Sequence, residues 1–206
     1  MKVIGFGDQI LDVVLKTRNN EVFEYAVDGG GSVWNSLVRF RRIHGFEAFC
    51  IGSSGADAAG RTARERLERC CVEIIGTDVH EHTMIIHQFI DTGSAGDGSV
   101  ITTYRCPFCF KERLGSDLIL PGSFPASFGE GDDVLLCFDS LRHDTLHLKT
   151  QALERGWRVA ADLGYPMYTK NMACGDIAAW LRGLYYLQLS GGLLCLYQRR
   201  QQNLLP

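Results

Sequence analysis

The sequence predicts an α/β fold in which a largely parallel sheet is covered by helices. Two observations predict this class. Apolar strand-like runs alternate with amphipathic helical runs along most of the 206 residues, which is typical of strand–helix–strand units. Glycine clusters also stand where predicted strands lead into helices, at positions 29–31 and again between 52 and 60. Because glycine lets a ligand approach the main chain closely, these junctions indicate a small-molecule site.

The first half of the chain follows the strand–helix alternation. Apolar runs predict strands at 3–6, 10–15 and 22–27, with a polar hairpin or short loop at 17–21. Val33, Leu37 and Phe40 recur at helical spacing behind the first glycine cluster, and Gly45 is a natural helix stop. The remaining elements predicted in this half are a strand at 46–51, a helix at 58–70 and a short strand at 72–75.

The second half begins with a predicted β-hairpin. Runs rich in β-formers at 83–90 and 100–104 are joined by D-T-G-S-A-G-D-G-S, which consists of turn-forming residues. The segment 106–127 contains three prolines and is predicted to be irregular. We expect the polar tail at 199–206 to be poorly anchored. Between these segments the alternation resumes with a strand at 134–138, a helix at 145–155 ending at Gly156, a strand at 158–161, a helix at 174–182 and a strand at 184–189.

Composition and charge exclude several classes of protein. The apolar fraction of 46% and the charged fraction of 22% are typical of a globular protein, and the length predicts a single domain, 1–206. A net charge of −3 provides no basic field for nucleic acid or an anionic membrane. Met1 leads straight into the strand-like V-I-G-F-G, so we expect no signal peptide, and polar residues interrupt the most apolar tract, 178–197. We therefore expect a soluble, cytoplasmic protein whose eight cysteines are reduced thiols.

The metal-binding and nucleophile motifs in the sequence are incomplete. Cys106 and Cys109 form a lone C-x-x-C, which supplies two of the four ligands that zinc needs. His143 and His147 have the spacing of one helix face but lack the glutamate of H-E-x-x-H, and no G-x-S-x-G is present. We therefore expect no metal site and no serine or cysteine nucleophile.

Asp12 is a carboxylate inside an apolar strand. Ile10, Leu11, Val13 and Val14 flank it, and burial of its charge is costly unless a partner is present. The residues themselves leave two interpretations open. Asp12 is either an outward-facing side chain on a half-exposed strand or a hydrogen-bond acceptor at a site.

Several motifs in the first 60 residues occur together in a definite order and spacing. They are G-D-x-I-L-D at 7–12, G-G-x-x-x-N at 30–35, the helix that ends at Gly45, and I-G-x-x-G-x-D-x-x-G at 51–60. Through these motifs the sequence from 3 to about 189 resembles the N-terminal two thirds of the PfkB (ribokinase-like) sugar and nucleoside kinases. The resemblance implies a doubly wound, mainly parallel α/β domain with a small β lid, here about 10–27 and 83–104.

The resemblance also implies a substrate site. Asp12 is similar to the family's carboxylate that accepts hydrogen bonds from substrate hydroxyls. Gly30 and Gly31 are similar to the glycine pair whose main chain touches the sugar, and Asn35 to its amide contact. A carboxylate and an amide suit a polyol, because they offer acceptors and donors to adjacent hydroxyls. The implied partner is a small sugar or nucleoside, and the loop at 55–60 fits either this site or a purely structural turn.

ATP and Mg are the cofactors that the resemblance implies, and the lid is the surface through which a homodimer would form. The chain departs from the family where the nucleotide would be handled. D-T-G-S-A-G-D at 91–97 is similar to the motif of the catalytic base, but it stands between two predicted strands instead of opening a helix. Where the family has N-x-x-E the chain reads S-G-G-L at 190–193, and of D-x-N-x-R only Asp162 is kept. The sequence therefore predicts that the catalytic base and the C-terminal nucleotide-binding part are missing.

Two functions are compatible with this pattern. The first is a PfkB-type kinase that phosphorylates a carbohydrate or nucleoside hydroxyl with ATP, truncated and impaired on its own. The second is a non-catalytic sugar-binding or regulatory domain on the same fold. A third alternative is an incomplete reading frame, whose open sheet would expose an apolar edge prone to aggregation.

Overall fold

A computed structural model describes residues 1–7, 9–19, 21–52, 54–75, 78–80, 83–91, 99–103, 124–129, 131–138, 145–163 and 174–189. In chain order the strands and helices are β1 (Lys2–Phe6), β2 (Ile10–Arg18), β3 (Glu21–Gly30), α1 (Ser32–His44), β4 (Glu47–Ile51), β5 (Ser54–Gly55), α2 (Ala58–Arg69), β6 (Val72–Ile75), β7 (Asp78–His80), β8 (Ile85–Asp91), β9 (Ser99–Thr103), β10 (Val134–Phe138), α3 (Leu146–Glu154), β11 (Arg158–Leu163), α4 (Cys174–Leu181) and β12 (Tyr186–Leu189).

The larger sheet has six strands in the order β12-β11-β10-β1-β4-β6, and each neighbouring pair is parallel. β1 lies inside this sheet. Its successive residues Val3 and Ile4 belong to different core clusters, and neither has exposed surface. A parallel sheet that is covered on both faces needs apolar residues on both sides of a strand, which explains the uninterrupted apolar run at 3–6.

Helices cover the larger sheet on both faces. Leu37 of α1 and Leu67 of α2 pack with Val3 in one core cluster. Leu148 of α3 and Trp180 of α4 pack in a second cluster on the opposite face. This arrangement confirms the predicted fold class, a doubly wound and mainly parallel sheet flanked by helices.

The strand order reverses beside β1. The chain passes from β1 to β4 and β6 on one side, and later forms β10, β11 and β12 on the other side. In open parallel sheets, ligands bind in the crevice outside the carboxyl ends of the strands at such a reversal. The carboxyl end of β1 leads directly into β2, so the second sheet is attached at this crevice.

The smaller sheet has four strands in the order β3-β2-β8-β9. β2 and β3 form an antiparallel hairpin, β8 joins β2 in parallel, and β9 returns antiparallel to β8. Asp91 pairs with Ser99, which confirms the predicted hairpin, although residues 92–98 and Tyr104 lie outside the described residues. The D-T-G-S-A-G-D motif therefore begins at Asp91, the last residue of β8. The next strand in the chain is β9, which pairs antiparallel with β8. α2 packs against β2 and β3.

The β2–β3 hairpin is longer than the sequence predicts. The polar residues 17–21 predict a hairpin or short loop, and the structure has the hairpin: Thr17 pairs with Val22 and Arg18 pairs with Glu21. Next to Arg18 the chain turns through Asn19, whose φ of 52° is left-handed. Side-chain polarity does not reveal this pairing, because the main chain makes it. The short parallel strands β5 and β7 form a further pair that no sequence pattern predicts.

Several further expectations can be compared with the described residues. α1 ends as predicted at Gly45, whose φ of 67° is left-handed. Of the helices within the described ranges, none is long and apolar enough to cross a membrane. His147 is exposed, while Cys106, Cys109 and His143 lie outside the described residues. The cysteines found as free thiols are Cys50, Cys70, Cys71 and Cys137.

Candidate ligand-binding site

The predicted site residues lie where the smaller sheet meets the carboxyl edge of the larger one. β3 ends at Gly30 and α1 begins at Ser32, so Gly31 alone makes the turn. Gly31 has a φ of 106°, a conformation that residues with a side chain rarely adopt. As N-cap residue it supplies no side-chain cap, and the first turn of α1 contains no acidic residue. The N-terminus of α1 can therefore donate N–H groups to an oxygen-rich ligand.

Gly30 lies directly against the carboxylate of Asp12. A Cβ added at Gly30 would be 2.1 Å from Oδ2 and 2.2 Å from Cγ of Asp12. The hairpin register produces this approach, because Gly30 pairs with Ile10 and Asp12 pairs with Asp28. Glycine is thus needed at position 30 to make room for the carboxylate.

The carboxylate of Asp12 has an unused hydrogen-bond acceptor. Its Oδ1 is buried and has no hydrogen-bond partner among the described residues. Burial, and secondly the charge of Asp28, raise the pKa of Asp12 to about 6. A buried acceptor without a donor is costly, and a ligand hydroxyl would remove that cost by donating to it. Of the two interpretations that the sequence left open for Asp12, this geometry favours the acceptor.

Asn35 occupies the first turn of α1. Its main-chain N–H donates to the carbonyl of Gly31 at 3.0 Å, and its side chain is exposed. It makes no hydrogen bond to Asp12. The structure therefore brings Gly30 and Asp12 into direct contact, with Gly31 next to them, and places Asn35 one helical turn away.

Hydrogen bonds join the second glycine motif, at 51–60, to Thr83 just before β8 of the smaller sheet. Oδ1 of Asp57 accepts from the N–H of Gly60 at 2.8 Å and from Oγ1 of Thr83 at 2.6 Å, while its Oδ2 accepts from the N–H of Thr83 at 2.9 Å. The N–H of Gly55 donates to Oγ1 of Thr83 at 2.9 Å. A Cβ at Gly60 would lie 2.1 Å from the carbonyl oxygen of Gly55. These contacts support the structural interpretation of positions 55–60, since they join the start of α2 to the segment before β8.

The sequence motifs single out neither Arg66, which lies beside the site, nor the buried Gln9. Arg66 of α2 donates from Nη1 to Oδ1 of Asp28 at 2.7 Å, next to the site carboxylate. Gln9 is buried between β1 and β2, and its Oε1 has no partner among the described residues. Sequence reasoning misses Arg66 because its contact depends on how α2 docks on the hairpin. The position of Gln9 between two apolar strands is the one signal that was available for it.

Metal ions such as Mg are held by characteristic sets of ligands. Within the described ranges, no three His, Cys, Asp or Glu side chains come together in a way that would hold a metal ion. The S-G-G-L segment at 190–193 lies outside the described residues.

The fold is that of solved carbohydrate kinases. A carbohydrate kinase from Agrobacterium tumefaciens matches 90% of this chain with a TM-score of 0.63 and 20% identity. A PfkB family carbohydrate kinase from Listeria grayi matches 93% with a TM-score of 0.66 and 15% identity. An Arabidopsis thaliana ribokinase, solved with ribose and ATP, matches 79% with a TM-score of 0.54 and 15% identity. The likeness establishes that this chain has the ribokinase-like fold.

The chain is shorter than these kinases. It covers 59% of the Agrobacterium tumefaciens protein, 61% of the Listeria grayi protein and 53% of the Arabidopsis thaliana protein. No protein-family model matches the sequence, and no curated protein matches it. The chain thus spans between about half and about three fifths of the length of these three kinases.

Proposed function

We propose that this chain binds a sugar or nucleoside hydroxyl at Asp12, as the substrate-binding part of a PfkB-type carbohydrate kinase. The observation that carries the proposal is the Asp12 carboxylate, which is held against Gly30 with a buried, unpartnered Oδ1. A carboxylate so placed accepts a hydrogen bond from a hydroxyl. The likeness to solved carbohydrate kinases supports a sugar as the ligand.

The neighbouring groups suit the rest of a polyol. Gly30 and Gly31 present main chain without side chains, so a sugar ring can approach it closely. Asn35 supplies an amide with both donor and acceptor capacity, and the uncapped first turn of α1 supplies N–H donors. The smaller sheet then acts as a lid over the sugar site. In this proposal the protein works in the cytoplasm, and ATP and Mg are held by groups outside the described residues.

A second candidate function is sugar binding without phosphoryl transfer, in a regulatory or binding module. One observation favours it. The segment most similar to the base motif starts at Asp91, whose pairing with Ser99 places it between antiparallel strands, while the anion-binding role of that motif requires a helix N-terminus.

A thermal-shift experiment on the 206-residue chain tests sugar binding. With D-ribose, D-fructose or adenosine at millimolar concentration, we expect at least one of them to raise Tm, because a ligand that binds the native state stabilises it. Asp12→Asn should remove most of the rise. Asp132→Asn is the matched control, since Asp132 pairs with Lys2 at the amino end of β1, at the opposite edge of the sheet. An unchanged Tm with all three compounds would contradict the proposal.

A coupled assay for ADP release then distinguishes the two candidate functions. With Mg-ATP and the sugar that raises Tm, turnover by the isolated chain would establish the kinase and exclude the binding module. Binding without turnover would support the module.

We also propose that the edge of the smaller sheet forms a homodimer contact. β3 is an edge strand, and it exposes Val22, Phe23 and Tyr25 to 54%, 53% and 73%. Unpaired strand edges and exposed apolar side chains are features of protein–protein contacts. Sedimentation velocity should show a dimer that Tyr25→Lys converts to monomer, whereas Tyr185→Lys, at another exposed tyrosine, should not. A monomeric wild type at about 100 μM would refute this contact.

A further inference from the structure

We propose that Arg66 is a positioning residue of the sugar site: by neutralising Asp28, it keeps the neighbouring Asp12 carboxylate charged and free to accept a hydroxyl hydrogen bond. This inference rests on the proposed function of Asp12. Arg66 lies on α2, outside the motifs through which the sequence predicts the site.

Asp12 and Asp28 form an unfavourable pair. They are direct partners across the β2–β3 hairpin. Side chains in that relation have Cβ atoms about 4.5–5.5 Å apart, and like charges so placed oppose each other. The negative charge of Asp28 therefore hinders ionisation of the Asp12 carboxyl. For Asp12 this effect adds to the larger effect of burial.

Arg66 compensates the charge of Asp28. Its Nη1 donates to Oδ1 of Asp28 at 2.7 Å, and the N–H of Gly29 donates to the same oxygen at 2.8 Å. A cation in contact with one carboxylate of a pair reduces the negative potential at the other. Arg66 therefore acts on Asp12 through Asp28, without a hydrogen bond to Asp12 itself.

Fold stability does not account for this ion pair. The side chain of Asp28 is 62% exposed, and ion pairs with an exposed partner contribute little to stability. Nε of Arg66 is buried and has no partner among the described residues, which is unfavourable for the fold. The arginine is thus poorly placed for stability but well placed to influence the carboxylate pair.

The other groups that face the site carboxylate do not take this role. Its partner on β8 is Ile86, and its same-face neighbour on β2 is Val14, both uncharged. Lys16, further along β2, is paired with Glu24 at 2.7 Å. The first turn of α1 contributes the positive end of a helix dipole and no charged side chain. Within the described part of the chain, Arg66 is the side-chain cation in contact with this carboxylate pair.

A ¹³C NMR titration of the Asp12 carboxyl in the 206-residue chain tests the inference. Arg66→Gln should raise the pKa of Asp12 by about 0.5–1, and Asp28→Asn should lower it by a similar amount. The double variant should titrate like Asp28→Asn alone, because Arg66 acts through Asp28. A purely structural role for Arg66 would not produce this dependence.

Two control variants make the test specific. Arg66→Lys keeps the charge and should leave the pKa of Asp12 close to that of the wild type. Arg69→Gln removes a cation from the same end of α2, where Nε bonds the main chain of Glu65, and should change nothing. An unchanged pKa of Asp12 in Arg66→Gln, or an equal rise in Arg69→Gln, would overturn the inference.

Sugar titrations link this electrostatic effect to function. Calorimetry with D-ribose or D-fructose between about pH 5 and 8 should show that the affinity falls as Asp12 becomes protonated, with a midpoint that moves upward in Arg66→Gln. Sugar binding with an unchanged midpoint in Arg66→Gln would refute the role of Arg66 and leave the proposed function of Asp12 in place. A pKa response in NMR without sugar binding by any variant would refute the proposed function while supporting the electrostatic relation.

Discussion

Replacing Gly30 by alanine is expected to lower the free energy of unfolding by about 1–3 kcal/mol and to abolish sugar binding. The added Cβ would lie 2.1 Å from Oδ2 and 2.2 Å from Cγ of Asp12, far inside van der Waals contact. Both residues are held in paired strands, so the carboxylate has to leave its position. Urea denaturation, together with a thermal-shift titration of the sugar, checks the two effects.

Two further variants show whether the close approach is the cause. Asp12→Ala in the Gly30→Ala background removes the atoms that clash, so it should restore most of the lost stability without restoring sugar binding. Gly175→Ala, in α4, has nothing within 4 Å of its added Cβ and should be neutral or slightly stabilising. Equal destabilisation by Gly30→Ala with and without the Asp12 carboxylate would contradict this explanation.

Asp12→Asn is expected to stabilise the fold near neutral pH while it weakens sugar binding. The pKa of Asp12 is raised from 3.8 to about 6, so the native state holds the proton more tightly than the unfolded chain does. The stabilisation that the Asp12 carboxyl gives the native state is therefore fully present below pH 3.8, and it is lost as the pH rises through about 6. The shift corresponds to about 3 kcal/mol, which solvent screening of a half-buried carboxylate reduces to about 1–2 kcal/mol.

The free energy of unfolding of Asp12→Asn should thus exceed that of the wild type at pH 8 and approach it below about pH 4. Loss of a charged acceptor should weaken sugar binding by about 10- to 100-fold. Asp132→Asn is a control of opposite sign, because hydrogen bonds from Lys2 and from the N–H of Gly129 lower the pKa of Asp132. Asp132→Asn should have a lower free energy of unfolding than the wild type at neutral pH, and this difference should become smaller at acidic pH. Destabilisation of Asp12→Asn at pH 8 would show that the Asp12 carboxylate contributes to stability.

The fold was largely predictable because its signals are local. The apolar run at 3–6 indicated a strand, and the spacing of Val33, Leu37 and Phe40 with Gly45 behind them bounded α1. The hairpin prediction for 83–104 also holds for its described strands. The hairpin or short loop predicted at 17–21 is a hairpin, and main-chain pairing continues through its polar residues.

The sequence proposed residues for the candidate site but not their contacts. The residues came from the family resemblance that the motifs carry, and glycine at positions 30 and 31 has a physical reason in each case: a close carboxylate at Gly30 and a φ of 106° at Gly31. Asp28 and Arg66 were missed, since one depends on the register of a hairpin and the other on the docking of a helix. Neither leaves a periodic pattern in the chain.

By itself, the sequence determined the class of the protein, an α/β fold with glycine-rich junctions and a carboxylate in an apolar strand. Periodicity, turn formers and residue order are properties of neighbouring residues, and they survive without any tertiary contact. Only the tertiary structure decided that Asp12 lies against Gly30, opposite Asp28, with Arg66 on the far side of that pair. These contacts join residues 16 to 38 positions apart, and strand register and helix packing select them together.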